Sequence, residues 1–254
     1  MIENRECIFI LLAAGSGSRM KSKVAKQYML LEDKPVLWYS LKAVEDSRYI
    51  DRCILAIGKD DISYVQEEIV AKYGFTKVDR IVAGGAQRYD SVYHALCTLQ
   101  EAGTKADDLI LIHDGARPFL TEEIIQRCCE ETLRYRACAV GMPVKDTIKI
   151  ADDNGFAAQT PDRSHMWQIQ TPQVFQAALI MEAYEKLMAQ EAAGQTNGIR
   201  ITDDAMVVET FTETKVKLTE GAYENLKITT PEDIIVAEAV LKAKYVDKSG
   251  KTHE

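Results

Sequence analysis

The sequence predicts an α/β fold: a mostly parallel, twisted sheet flanked by helices on both faces, with a protruding β-arm. Three observations predict it. Apolar, β-branched runs alternate with helical periods along the chain, the pattern of strands buried on both faces. Each chemically suggestive cluster follows such a run, where the carboxyl ends of parallel strands gather ligand-binding loops. One stretch, 143–166, has no helical period and carries its own hairpin turn.

Strands are read at 7–13, 53–58, 109–113 and 137–142, with shorter ones near 79–83 and 215–218. Helices are read at 35–46, 60–73, 87–102, 121–135, 175–192, 203–210 and 231–245. Thr121 with Glu123, and Thr230-Pro231 with Glu232-Asp233, supply a cap, a tolerated proline and early acids at helix starts. In the arm, polar and apolar residues alternate from Thr147 to Ile150, and Asp153-Asn154-Gly155 is a turn. An isolated hairpin is marginal in water, so the arm is expected to pack on a second subunit. Residues 1–245 read as one domain and 246–254 as a frayed, flexible tail.

The 254 residues are 46% apolar and carry a net charge of −8, which suits a globular α/β chain and disfavours a nucleic-acid surface. No apolar run approaches the roughly 18 residues of a membrane span. The N-terminus enters a strand without the layout of a signal peptide, so a cytoplasmic location is expected. Six cysteines without a CxxC pair read as reduced, mostly buried thiols, and four scattered histidines do not suggest zinc.

The most informative stretch is 8–27, IFILLAAGSGSRMKSKVAKQ. A buried strand feeds Ala13-Ala14-Gly15-Ser16-Gly17, whose small residues expose successive backbone N–H groups at the sheet's carboxyl edge. Such a nest binds anionic oxygen, and Arg19, Lys21, Lys23 and Lys26 add positive charge. Two familiar phosphate loops do not fit. Gly17 is followed by Ser18-Arg19, where a P-loop needs Lys and Ser/Thr, and Met20 stands where a dinucleotide fingerprint needs its third glycine.

Further clusters follow the other strands. Asp114, in His113-Asp114-Gly115-Ala116-Arg117, is placed to hold a hard cation such as Mg²⁺ beside substrate phosphates. The same carboxylate could instead cap the next helix or pair with Arg117. His113 is expected to pack. The turn Gly84-Gly85-Ala86-Gln87-Arg88 offers backbone to a base or ribose, with Ser91 nearby. The arm supplies a hydroxyl at Thr147 and a guanidinium at Arg163, and Thr171-Pro172-Gln173 follows its return strand. Asp203 and Asp204 read as first-turn acids of a helix, with no further role needed. Glu224 could be a second metal ligand, and Lys227 could face a second phosphate. No nucleophile with a base is evident, which favours direct displacement between two phosphates.

The motifs LLAAGSGSRM…KQ, GGAQRYDSV, LIHDGARPF, DTIK, DRSHMWQIQTPQVF, ITDDA and ENLKITTPEDI resemble, in order over about residues 7–242, those of the 2-C-methyl-D-erythritol 4-phosphate cytidylyltransferase family. The resemblance implies a Rossmann-like nucleotidyltransferase fold. It implies transfer of CMP from CTP to methylerythritol phosphate, with Mg²⁺ and release of diphosphate, in isoprenoid precursor biosynthesis. By motif match, Arg19 and Lys26 would steady the CTP phosphates in the transition state, while Arg163 and Lys227 would position the acceptor phosphate. Ala13, Ala14, Gly15, Ser16, Gly17, Gly85, Ser91 and Gly115 would receive cytidine. Asp114 would contact substrate and hold the metal, and Arg117, Thr147 and Thr171 would line the acceptor pocket. The family's arm crosses between subunits of a homodimer, so Thr147 and Arg163 would serve the partner's site.

Two departures stand out: Ala25 replaces the family's usual proline before the loop lysine, and Glu224 replaces a shorter residue. Ribitol-5-phosphate cytidylyltransferase is the alternative, but its usual LAGG and HDSVRP differ from Leu12-Ala13-Ala14-Gly15 and His113-Asp114-Gly115-Ala116-Arg117-Pro118. A CTP-sensing module without turnover is the alternative from another class.

Overall fold

A computed structural model describes residues 1–15, 20, 24–195 and 200–249, with backbone alone at 244–249. The chain opens on β1 (Cys7–Ala13), the hairpin β2 (Leu30–Leu31) and β3 (Lys34–Pro35), α1 (Val36–Asp46) and β4 (Arg52–Ile57). A helix begins with α2 (Ile62–Tyr64) and continues with π-type hydrogen bonding over Val65–Ala71, so the helix expected at 60–73 is present but irregular. Then come β5 (Val78–Ala83), α3 (Arg88–Glu101), β6 (Leu109–Asp114), α4 (Glu122–Tyr135) and β7 (Ala137–Pro143). The arm carries β8 (Ile150–Ala151) and β9 (Ala157–Gln159), and β10 (Trp167–Gln176) returns to the sheet. Last are α5 (Ala177–Ala192), α6 (Asp204–Phe211), β11 (Lys217–Glu220) and α7 (Pro231–Ser249).

Seven strands form the central sheet in the order β11-β7-β10-β6-β1-β4-β5. β1 pairs in parallel with β4 and with β6, β4 with β5, and β11 with β7. Only β10 runs against its neighbours β6 and β7. The mostly parallel sheet therefore agrees with the sequence expectation.

Alternation along the central strands divides the core between the two faces. Cys7, Phe9, Leu11 and Ala13 of β1 join Leu55 and Leu111 on one side, where α1 and α4 cover them. Ile8 and Ile10 join Ile54, Ile110 and Ile112 on the other, under α3, α5 and α6. A third cluster seats α7, through Ala237 and Leu241, on Leu31, Val36, Phe119 and Ile228. That contact ties the C-terminal helix to the rim above β1 and β6.

The sequence reading placed Thr171-Pro172-Gln173 after the return strand and started the following helix at 175; in the structure these residues lie inside β10, and α5 begins two residues later than expected, at Ala177. The β10 segment, WQIQTPQVFQ, breaks every simple pattern, because Gln170, Thr171 and Gln173 are polar yet buried. A proline normally argues against a central strand. Here the register shifts between Ile169 and Gln173, so a bulge accommodates Pro172. The strand expected near 215–218 is observed at Lys217–Glu220.

The arm forms as expected. Asp152 Oδ1 accepts from the backbone N–H groups of Asn154 and Phe156, and Gly155 takes a left-handed φ of +85°. Its two short strands are exposed along their length, and Phe156 is 72% exposed. The arm's root is held by Val144 N–H donating to Met166 O at 3.0 Å.

Candidate active site

The strand order places β4 and β5 on one side of β1 and β6 on the other, so a crevice opens at the carboxyl ends of β1 and β6. A cavity of about 390 Å³ occupies it. Ala13, Ala14 and Gly15 form one wall, Gly85 and Ser91 another, and Lys26, Asp114 and Lys227 close it. These residues come from separate stretches and meet as the sequence anticipates. Ser16, Gly17 and Arg19 of the same loop, with Lys21 and Lys23, lie outside the described residues.

The second glycine turn fits tightly against the first. A Cβ on Gly84 would stand 2.2 Å from Ala14 Cβ, so only glycine permits this approach. Ser91 Oγ accepts from Gly85 N–H at 3.0 Å, and Asp90 accepts from Gln87 N–H at 2.8 Å, which fixes the turn to the start of α3.

A second cavity of about 310 Å³ lies alongside, lined by Arg117, Thr171, Gln173 and Thr202 among others. Arg88, Asp114 and Lys227 line both cavities, forming the wall where they meet. Lys227 Nζ donates to Asp114 Oδ2 at 2.7 Å, and Arg88 Nε donates to Oδ1 at 3.2 Å. Burial alone would raise the Asp114 pKa, but Arg88 and Lys227 hold its carboxyl far below the usual range. The two cations thus favour its ionised form. Burial also lowers the Arg117 pKa, with Asp114 opposing the shift. Arg117 Nη1 donates to Asn225 O at 2.7 Å, pinning the loop that carries Lys227.

Hydrogen bonds around Thr171 resolve their own polarity. Asp114 N–H donates to Thr171 Oγ1 at 3.0 Å, and Thr171 Oγ1 lies 2.9 Å from His113 Nδ1. His113 Nε2 lies 3.2 Å from Arg117 O, a carbonyl that only accepts. The imidazole thus carries its proton on Nε2, and the threonine hydroxyl donates to Nδ1. Burial pushes the His113 pKa down to about 4, so it is neutral and packs, as expected. The Thr171 hydroxyl is thus engaged both as donor, to His113, and as acceptor, from Asp114 N–H.

Other anticipated residues are placed elsewhere. Gly115 is buried behind the cleft, its N–H donating to Leu12 O at 2.8 Å. Thr147 and Arg163 sit on the arm, exposed, and line neither cavity of their own chain. Glu224 is also exposed and lines neither cavity. Among the described residues no group of three His, Cys, Asp or Glu side chains could hold a metal ion. Asp114 is, among the described residues, the single carboxylate on the larger cavity, and both its oxygens are engaged by cations. The structure does not bring Glu224 to the cavity beside Asp114, so these two carboxylates do not form a ligand pair on one wall.

Three residues at or behind this wall had no such place in the sequence reading: Arg88, Asp204 and Tyr184. Arg88 lay inside the recognised glycine turn, and its cation beside a phosphate-binding edge was the available signal. Asp204 and Tyr184 gave none, because they reach the site only through packing of α5 and α6 against α3.

Comparison with known proteins accords with this geometry. The family model for 2-C-methyl-D-erythritol 4-phosphate cytidylyltransferase matches residues 7–243. The enzyme of that name from Lachnoclostridium phytofermentans is 48% identical over 233 residues, covering 92% of this chain and 95% of its own. That from Lachnospira eligens is also 48% identical, covering 92% and 98%. A crystal structure of 4-diphosphocytidyl-2C-methyl-D-erythritol synthase from Anaerococcus prevotii superposes with a TM-score of 0.79 at 34% identity, over 95% of this chain and 98% of that one. With sequence and fold matched over more than nine-tenths of its length, this chain belongs to the 2-C-methyl-D-erythritol 4-phosphate cytidylyltransferase family, a family of nucleotidyltransferases.

Proposed function

We propose that the larger cavity takes CTP and the smaller one 2-C-methyl-D-erythritol 4-phosphate, and that CMP passes between them to give CDP-methylerythritol and diphosphate. One observation carries the assignment of sites: both cavities end on the same wall of Arg88, Asp114 and Lys227, so two ligands would meet there. An oxygen of the acceptor phosphate attacks the α-phosphorus of CTP. A P–O bond forms to it as the bond to the β-phosphate oxygen breaks, and diphosphate leaves. Among the described residues no cysteine and no histidine lines either cavity, in keeping with direct displacement.

Positioning and charge neutralisation then supply most of the rate. Lys26 faces the triphosphate side, with Arg19 as its companion, and offsets charge as the α-phosphate becomes pentacoordinate. Lys227 and Arg117 face the acceptor phosphate. Backbone at Ala13 to Gly17, with Gly85 and Ser91, receives the nucleoside. A divalent cation such as Mg²⁺ enters this reading bound to the triphosphate, as part of the substrate.

The same reading includes a homodimer in which the arm crosses between subunits, so that Thr147 and Arg163 of the partner subunit complete each acceptor site. Exposure of Ile150 and Phe156 on the arm supports it. No helix among the described residues is long and apolar enough to cross a membrane, and reduced thiols accord with a cytoplasmic location.

The test is incubation of the pure protein with CTP, Mg²⁺ and methylerythritol phosphate, following diphosphate. Release dependent on that acceptor and matched by CDP-methylerythritol is expected. Faster release with ribitol 5-phosphate, or CTP binding without release, would overturn the reading.

A further inference from the structure

We infer that Asp204, backed by Tyr184, is a positioning residue for the transfer, gripping Arg88 so that Arg88 holds Asp114 at the junction of the two cavities. The inference rests on reading those cavities as donor and acceptor sites.

The contacts form a line from the core to the junction. Tyr184 Oη donates to Asp204 Oδ1 at 2.6 Å. Arg88 Nη1 and Nη2 donate to Asp204 Oδ1 and Oδ2 at 2.9 and 2.8 Å. Arg88 Nε then donates to Asp114 Oδ1, whose companion oxygen is held by Lys227. A guanidinium is planar, so two parallel bonds to one carboxylate fix both its position and its plane. The direction of Nε–H follows. Asp204 therefore sets where Asp114 points without touching either cavity.

Helix preferences do not explain this arrangement. Asp203, not Asp204, caps α6 by accepting from Met206 N–H at 3.0 Å. Asp204 is wholly buried and turned toward Arg88 and Tyr184. Arg88 is the first residue of α3, where the helix dipole disfavours a cation. A buried ion pair is also weak support for stability, since apolar residues of similar volume often serve as well. What the pair does provide is a rigid donor on the shared wall. Three of the five Arg88 donors are taken among the described residues, which leaves two for phosphate oxygens in either cavity.

Asp203 is thus the N-cap and Asp204 the first-turn acid of α6, so the reading of both as first-turn acids holds in position for Asp204 alone, whose contacts with Arg88 and Tyr184 go beyond it. Replacing Asp204 by asparagine keeps the shape but loses one acceptor of the fork and the charge. Arg88 would then turn toward Asp114, its remaining carboxylate, and tilt it.

The experiment measures kcat and both KM values for Asp204→Asn, Asp204→Glu, Tyr184→Phe and Arg88→Gln in the full chain, with melting curves alongside. Asp204→Asn is expected to lower kcat on the order of 10- to 100-fold while each KM stays within about threefold, and Asp204→Glu to recover part of the loss. Added to Arg88→Gln, Asp204→Asn should cost little more, because the two act as one unit. Wild-type kcat in a folded Asp204→Asn protein, or additive losses in the double variant, would overturn the inference. If Asp204→Asn does not fold, Tyr184→Phe decides: a fall in kcat with unchanged KM supports it, and unchanged kcat overturns it. An inactive wild-type chain would instead overturn the reading of the cavities, and this inference with it.

Discussion

His113 and Lys26 show two ways in which one residue sets the behaviour of the site. His113 is buried and neutral, with its pKa lowered from 6.5 to about 4. The unfolded chain takes up that proton as pH falls through its ordinary value, whereas the native protein resists until the lowered one. The native state is thus favoured above pH 6.5 and loses stability as pH falls toward 4, by roughly 3 kcal/mol from this group. Urea midpoints measured across that range should fall more steeply in the wild type than in His113→Gln. Parallel slopes would assign the acid sensitivity to other groups. For Lys26 the proposed role concerns rate: Lys26→Ala is expected to cut kcat far more than it weakens CTP binding, if its charge counts most in the transition state. Equal losses in both, from titration calorimetry and steady-state kinetics, would reduce it to a ground-state phosphate ligand. Lys26, Asp114 and Lys227 were legible because cations and a carboxylate after apolar strands have few bland explanations. The bond from Arg88 to Asp204 spans 116 residues, and nothing local to either residue announces it.

At the scale of elements, two glycines decide whether loops can approach closely enough to make the site. Gly84 lets the β5–α3 turn lie against Ala14. Gly221, just after β11, would place a Cβ 2.5 Å from Val140 Cγ1 and 2.6 Å from Gln170 Oε1. Gln170 Oε1 accepts from Asn225, and Asn225 O accepts from Arg117, so a displacement at Gly221 reaches the second cavity. Gly221→Ala is expected to cost roughly 1–3 kcal/mol of stability and to raise the acceptor KM while sparing that for CTP. Gly84→Ala should do the reverse, raising the CTP KM. If both variants changed the two KM values alike, the cavities would not be separate subsites. The same scale explains which elements could be read. β1, β4 and β6 announce themselves by unbroken apolar runs buried on both faces. β10 buries Gln170, Thr171 and Gln173, which line the second cavity, so polar residues at buried positions break the strand signal.

At the scale of the whole molecule, the arm poses the question of where a site ends. Its hairpin was legible from Asp153-Asn154-Gly155, but its destination is not a property of one chain. Arg163 Nη1 donates to Lys145 O at 2.8 Å, and Tyr223 Oη donates to Pro143 O at 2.9 Å, so the arm's root is tied to the loop that carries Lys227. The Lys145 ammonium lies 3.4 Å from the centre of the Tyr223 ring, reinforcing that tie. A root so fixed leaves Thr147 and Arg163 exposed and off both cavities of their own chain. If the arms cross, Lys26 and Arg163 of one chain belong to different sites. Arg163→Ala alone should raise the acceptor KM and leave CTP binding intact, whereas Lys26→Ala should lower kcat. Co-expressing the two variants forms mixed dimers in which one site has both defects and the other has neither. With random pairing, about a quarter of all sites would then be wild type. Recovery of activity to that level, above the sum of the two separate variants, is the expected outcome. No recovery, with mixed dimers demonstrated by mass, would place Arg163 in the site of its own chain.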